Sequence, residues 1–296
     1  MGSIFLPQDP EREPLILFSR SSMLSLYAPA TSAFTHATAP RAPCMLARAA
    51  SPAMETKADL ETLASACNPI LGFYDPLNLS GADFWGKGSE ATIGWLRHSE
   101  IKHGRIAMFA FVGYIVQANG IHFPFPLTTS GITYADISAA GFPNQQWDAL
   151  PTLAKLQIFG AIGLLEWFGE SSYALEQSGL KHYTKGGKPG AYPSLKTAGV
   201  PHPVPFDLFD PFGLSKSATP EQKAKGLVAE INNGRLAMIG IMGFVAATKG
   251  PLVPFLDGKI APYAGEPMAP FSEVDVSLPM VKEMLTVLGG GGFPGL

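Results

Sequence analysis

The chain has 296 residues, 46% hydrophobic and 15% charged, enough for one or two domains and apolar enough to raise the question of a membrane. A net charge of −3 offers nucleic acid no basic field, and only two cysteines, Cys44 and Cys67, exclude a disulfide framework or a multi-cysteine metal site. Abundant Gly (32) and Pro (27) predict long irregular connections between few regular elements.

Residues 1–54 read as an organelle transit peptide. From Pro14 to Met54 there is no acidic residue and no Lys, but Arg20, Arg41 and Arg48 stand among many Ser, Thr and Ala. The apolar run Pro14–Phe18 is too short for a secretory signal, and an ordinary disordered terminus is the alternative. Residues 55–93 form an N-terminal segment with an Asp-Pro turn at Asp75. Three helices follow, at 94–118, 151–170 and 222–248, each near the ~20 residues a bilayer requires. Their uncharged parts are Ile106–Gly120, Leu156–Leu165 and Leu236–Thr248, so hydropathy alone leaves a soluble helical protein open. The connecting loop 119–150 has no Lys or Arg, whereas loop 171–221 carries Lys181, Lys185, Lys188, Lys196 and Lys216. The positive-inside bias then puts the basic loop on the side of import, and the first loop and the tail 249–296 opposite. No nucleophile–base constellation is evident, and Gly289–Gly292 precedes no helix, so it is no phosphate loop. The chain does not read as an enzyme.

The charges in the first helix raise a problem, because Glu100, Lys102, His103 and Arg105 crowd its start. A repeat suggests the answer. "EIKHGRIAMFAFVG" (Glu100–Gly113) returns as "EINNGRLAMIGIMG" (Glu230–Gly243), and "YDPLNL" (Tyr74–Leu79) is echoed by "FDPFGL" (Phe209–Leu214). At about 100° per residue, Glu100 and Arg105 sit about 140° apart, too far round the helix to pair with each other. Across a pseudo-two-fold axis along the membrane normal, Glu100 can meet Arg235 and Glu230 can meet Arg105. The helix–helix face would be Ile101, Arg105, Met108 and Val112 against Ile231, Arg235, Met238 and Met242, with Gly104 and Gly234 allowing close approach.

A second stripe remains: Glu100, His103, Ala107, Ala110, Tyr114 and Gln117, and its twin Glu230, Asn233, Ala237, Gly240, Phe244 and Ala247. Each begins with a carboxylate and, a turn later, an imidazole or amide, followed by small residues. Those donors suit a hard divalent ion, or a ring-bound magnesium with one open axial position lying on a flat shelf. The bland alternative is a purely structural pair locking two helices, with His103 an ordinary histidine.

The two copies resemble the first and third transmembrane helices of the light-harvesting chlorophyll-binding protein superfamily, over about Pro69 to Gly250. "HGRIAM", "NNGRLAM", the short basic second loop and the Asp-Pro turns are similar to the chlorophyll a/c branch, the fucoxanthin and peridinin type. Within it they look most like the dinoflagellate chlorophyll a/c–peridinin proteins. The resemblance implies an all-α membrane protein of three transmembrane helices in the thylakoid, with the first and third crossed.

It also implies that Glu100 and Glu230, paired with Arg235 and Arg105, ligate chlorophyll magnesium, and that His103 and Asn233 ligate the next chlorophylls. Gln117 would hold a further pigment, while Ala247 stands where the family has Gln. On the middle helix Gln157 and Glu166 are the implied ligands. Glu166 lies in an otherwise uncharged run, so an unpaired carboxylate there favours a bound cation or pigment. Gln157 reads equally as a surface amide near Lys155, and Glu170 as a mere helix end. Carotenoids of the peridinin or fucoxanthin and diadinoxanthin types would place end rings near Asp75 and Asp210, which are also plain turn signals. His98, His122, His182 and His202 are candidates for peripheral pigments.

The implied function is an antenna holding chlorophyll a, chlorophyll c and carotenoids, with membrane lipids, other antenna subunits and a photosystem I or II core as partners. A photoprotective quencher of the same superfamily is the alternative; it would sense acid through Asp136 and Asp148. A small transporter or scaffold is the remote one. Lys102 has no assigned role.

Overall fold

The computed structural model describes residues 55–199, 210, 212–213, 217–250, 253, 256, 258–267 and 269–289. The expected transit peptide, His202 and half of the second Asp-Pro echo lie outside them. Among the described residues there is no strand, only an isolated bridge between Pro126 and Thr133. The helices are α1 (Lys57–Cys67), α2 (Ser89–Ala118), α3 (Tyr134–Ser138), α4 (Pro143–Asp148), α5 (Thr152–Glu170), α6 (Ser172–Gln177), α7 (Pro220–Thr248) and α8 (Val281–Gly289). No helix among these is long and apolar enough to cross a membrane.

Helices α2 and α7 begin earlier than the hydrophobic pattern suggests, because local chemistry starts them. In α7 the Thr219 hydroxyl accepts from the Gln222 N–H at 3.3 Å, and Gln222 Oε1 accepts from the Thr219 N–H at 2.9 Å. With Pro220 in the first turn, this capping box adds a polar turn before the apolar run. Helix α2 starts at Ser89 after Gly88, with Glu90 near its positive end. It stops at Gly120, whose φ of +67° lets its N–H reach the Gln117 carbonyl at 3.0 Å and the next N–H, of Ile121, reach Val116 at 3.2 Å.

Helices α2 and α7 form the core. Ile101, Gly104 and Ala107 are buried on one, and Ile231, Gly234 and Ala237 on the other. A Cβ on Gly104 would lie 3.1 Å from the Gly234 Cα, and one on Gly234 only 2.9 Å from the Gly104 Cα. Beyond the glycines, Phe111 and Tyr114 stack on Phe244, with ring centroids 5.0 and 4.9 Å apart.

The contact face therefore differs from the one expected. Val112 and Met242 are exposed, whereas Ala107, Ala237 and Tyr114, assigned to a ligand-bearing shelf, are buried at the crossing. The reason is the glycine pair. Where two backbones nearly touch, the residues flanking the point of contact are drawn into the interface, and the arginines swing to its edges.

Helix α5 is held at its ends. Near its start, Lys155 and Asp275 form an ion pair at 2.6 Å, both side chains 0% exposed, with Thr152 Oγ1 also donating to Asp275 at 2.5 Å. Near its end, Tyr192 donates to the Leu165 carbonyl at 2.9 Å, and Glu170 accepts from His182 at 2.7 Å. Glu170 is thus a clamp, not merely a helix end, because the chain returns past it after α6. Between the clamps, residues 156–167 are exposed all round, among them Leu156, Phe159, Ile162, Leu164 and Trp167.

The C-terminal segment is folded rather than a plain tail. Trp147 Nε1 donates to the Pro270 carbonyl at 2.9 Å, Tyr263 to Asp148 at 2.6 Å, and the Tyr263 N–H to the Thr248 carbonyl at 2.8 Å.

Candidate functional site

Both reciprocal pairs are present where α2 crosses α7. Arg105 Nε donates to Glu230 Oε1 at 2.6 Å, and its Nη1 donates to the Gly190 carbonyl at 2.5 Å. Arg235 donates to Glu100 Oε1, at 2.8 Å from Nε and 2.7 Å from Nη2. The side chains of Glu100 and Glu230 are 25% and 31% exposed, so each carboxylate is neutralised yet open on one side.

Sequence reasoning missed a third arginine. Arg97, buried on α2, donates to Glu100 Oε2 and lies 3.3 Å from Glu55. A basic residue three positions before an acidic one is a visible signal on a helix. Glu55, before α1, could not be matched to Arg97 without the fold.

His103 is exposed, and its Nδ1 meets the Ser99 carbonyl at 2.8 Å. A carbonyl can only accept, so Nδ1 carries the hydrogen and the neutral ring keeps its lone pair on Nε2, as a metal ligand must. Asn233 is also exposed and makes no side-chain hydrogen bond among the described residues. Gln117 is exposed at the far end of α2, where its backbone carbonyl accepts from the buried Gln146 at 3.2 Å. Ala247, on the corresponding stretch of α7, has no donor to offer.

Gln157 and Glu166 are both exposed on α5, nine positions or about two and a half turns apart, and so on opposite sides of the helix. Glu166 is not the unpaired carboxylate inferred from its apolar run: Lys102 reaches across from α2 and pairs with it. That contact also gives Lys102 a partner, which a reading confined to the repeat could not find. His98 stacks on Tyr183 with centroids 4.1 Å apart and accepts from the Gly190 N–H at 3.2 Å, and His182 is held by Glu170.

Asp75 accepts from the Leu79 and Ser80 N–H groups, both at 2.9 Å. Hydrogen bonds from Ser80 and Leu79 hold its carboxyl below the usual range, and this use in a turn commits both its oxygens. Asp210 has a left-handed φ of 49°, and its carbonyl accepts from the Gly213 N–H at 3.0 Å.

No three His, Cys, Asp or Glu side chains gather to hold a free metal ion among the described residues. The candidate donors stand singly: Glu100, His103, Glu230, Asn233 and Glu166. A lone hard donor suits a magnesium whose equatorial ligands come from a macrocycle, so the residues fit that group.

The protein-family model described as chlorophyll A-B binding protein matches residues 59–249. The chain belongs to that family. This chlorophyll-binding family chain is 35% identical over 185 residues to the fucoxanthin-chlorophyll a-c binding protein, chloroplastic, of Trieres chinensis, covering 60% of this chain and 73% of the relative. It is 34% identical over 181 residues to protein F of the same description from Phaeodactylum tricornutum, covering 61% and 76%. Protein D of Macrocystis pyrifera is 33% identical over 197 residues, with 65% and 87% covered. These relatives belong to the chlorophyll a/c branch. The narrower likeness to dinoflagellate peridinin proteins rests on the motif wording alone. The family is one of antenna proteins, not enzymes.

Proposed function

We propose that this chain is a light-harvesting antenna protein of the thylakoid, which binds chlorophylls a and c and carotenoids and passes excitation to other antenna subunits and a photosystem core. The observation that carries it is the pair of arginine-neutralised, half-open carboxylates at the crossing of two helices, in a chlorophyll-binding family chain. When bound, the pigment would supply light absorption and a magnesium able to accept a donor from the protein. The protein supplies distance, orientation and local charge.

Glu100 and Glu230 would each hold the pigment magnesium through a carboxylate oxygen, His103 through its Nε2, and Asn233, Gln117 and Gln157 through their amide oxygens. Glu166 is a ligand of the same kind, a carboxylate neutralised by a cation from another helix, here Lys102. Arg105 and Arg235 orient the two central glutamates and remove their net charge. Asp75 and Asp210 shape the turns at which the carotenoid end rings would sit. The names of the relatives favour fucoxanthin there, and the motif wording favours peridinin. A diadinoxanthin-type carotenoid completes the set.

Helices α2, α5 and α7 are read as three crossings of the thylakoid membrane, with the repeat axis along its normal. Loop 171–221 faces the stroma, and loop 119–150 and residues 249–296 face the lumen. An unpaired charge at the bilayer centre costs about 2.5–3.5 kcal/mol. Pairing Glu100, Arg105, Glu230, Arg235, Lys102 and Glu166 removes most of that cost, and the apolar surface of α5 suits lipid and pigment. The chloroplastic relatives and the composition of residues 14–54 support import into a plastid.

Refolding the full chain with a pigment extract tests the reading. The wild type should take up chlorophylls a and c with carotenoid. Glu230→Ala should lose one chlorophyll, whereas Glu230→Gln, which keeps a ligand oxygen, should retain more of it. Full pigment content in both variants would remove Glu230 as a ligand, and uptake of no pigment by the wild type would remove the antenna function.

A further inference from the structure

The two halves of the crossing are chemically unequal. Glu230 accepts Arg105 on Oε1, and no side chain among the described residues donates to its Oε2. Glu100 accepts Arg235 on Oε1, while its Oε2 accepts Nη1 of Arg97 from one turn earlier on the same helix. The repeat breaks at this point. Three residues before each glutamate stands Arg97 on α2 but Leu227 on α7.

Arg97 is not a casual surface partner. Its side chain is 6% exposed and lies between Glu100 and Glu55. Its Nε faces Glu55 Oε2 at 3.3 Å and its Nη2 is buried without a hydrogen-bond acceptor, so Nη1 is the donor committed to Glu100. A charge-assisted hydrogen bond from a guanidinium occupies a lone-pair direction of the carboxylate oxygen and withdraws electron density from it. An oxygen so engaged is a poorer donor to magnesium than a free one.

Building on the reading of Glu100 and Glu230 as magnesium ligands, on which it rests, we propose that Arg97 is a positioning residue that weakens Glu100 as an axial donor. The chlorophyll at Glu100 is then held less tightly than the one at Glu230. The two sites, alike in motif, are graded by a single unrepeated arginine, and the α7 site loads first.

The test refolds the full chain at fixed carotenoid with limiting, increasing chlorophyll a. Difference spectra of Glu100→Ala and Glu230→Ala against wild type identify the absorption band belonging to each site. In the wild type the Glu230 band should fill at chlorophyll a concentrations about tenfold lower than the Glu100 band, the scale of one hydrogen bond to a charged group. Arg97→Leu should draw the Glu100 band toward the Glu230 concentration and shift its wavelength. Leu227→Arg, which adds the missing arginine, should make the Glu230 band harder to fill and shift it in the opposite sense. This second variant decides the matter even where Arg97→Leu fails to assemble. Simultaneous filling in the wild type, or a Glu230 band that Leu227→Arg leaves unmoved, would overturn the proposal. If neither alanine variant removes a band, the ligand reading fails and takes the proposal with it.

Discussion

Two kinds of glycine occur in the repeat, and they behave differently. Gly104 and Gly234 meet backbone to backbone, so a methyl on Gly234 would lie 2.9 Å from a Cα that cannot swing aside. Gly113 and Gly243, equally repeated, have nothing within 4 Å of where a Cβ would stand. Gly234→Ala should therefore push α2 and α7 apart, stretch both arginine–glutamate pairs and lower the melting temperature followed by circular dichroism. Gly243→Ala should leave melting unchanged or raise it slightly, since Ala is favoured over Gly by about 0.8–1 kcal/mol within a helix. Equal effects of the two substitutions would show that the close approach contributes nothing. Repetition made the glutamates, arginines and glycines legible, because each copy implies a partner in the other. It could not tell a glycine in contact from one in open space. Nor could it reveal Arg97 with Glu55 or Lys102 with Glu166, whose partners lie outside the repeat.

At the scale of elements, the middle helix depends on its ends. The three long helices were legible from their uncharged runs, but the Lys155–Asp275 pair that anchors α5 was not: Lys155 stood only as a neighbour of Gln157 and Asp275 as part of a tail. Burial alone would raise the Asp275 carboxyl, but hydrogen bonds from Lys155, Thr152 and the Ser272 N–H outweigh it and hold the group below the usual range. A depressed carboxyl stabilises the fold above its unfolded pKa of about 3.9, and that contribution is lost only as pH falls through the lower folded value. Docking of residues 269–289 should thus persist at pH 5 and loosen below about pH 4, as followed by limited proteolysis or Trp147 fluorescence. Asp275→Asn leaves a buried ammonium without its carboxylate and should cost about 3–5 kcal/mol, most of it recovered when Lys155→Met is added. Release of the segment at pH 5 in the wild type would show that the pair is not what holds it.

For the whole molecule, the same groups separate an antenna from an acid-triggered quencher. A quencher needs carboxylates that take up protons in mild acid. Asp136, one of the two carboxylates of loop 119–150, caps α3, and the backbone N–H and hydroxyl of Thr133 hold it below the usual range. Asp148, the other, accepts the Tyr263 hydroxyl, whose own pKa is pushed up by burial and by that hydrogen bond, so it keeps its proton to donate. Asp275 on the same C-terminal segment is also held low. Asp136 and Asp275, held low, bind almost no extra proton between about pH 7 and pH 5, so linkage through them provides little free energy to drive a change of state there. The excited-state lifetime of the pigment-loaded protein should accordingly be the same at pH 7 and pH 5, measured in detergent at a fixed pigment-to-protein ratio. A lifetime that collapses reversibly at pH 5 would reverse the assignment in favour of the photoprotective role. Asp148→Asn and Asp136→Asn, compared at both pH values, would then identify which loop carboxylate carries the response.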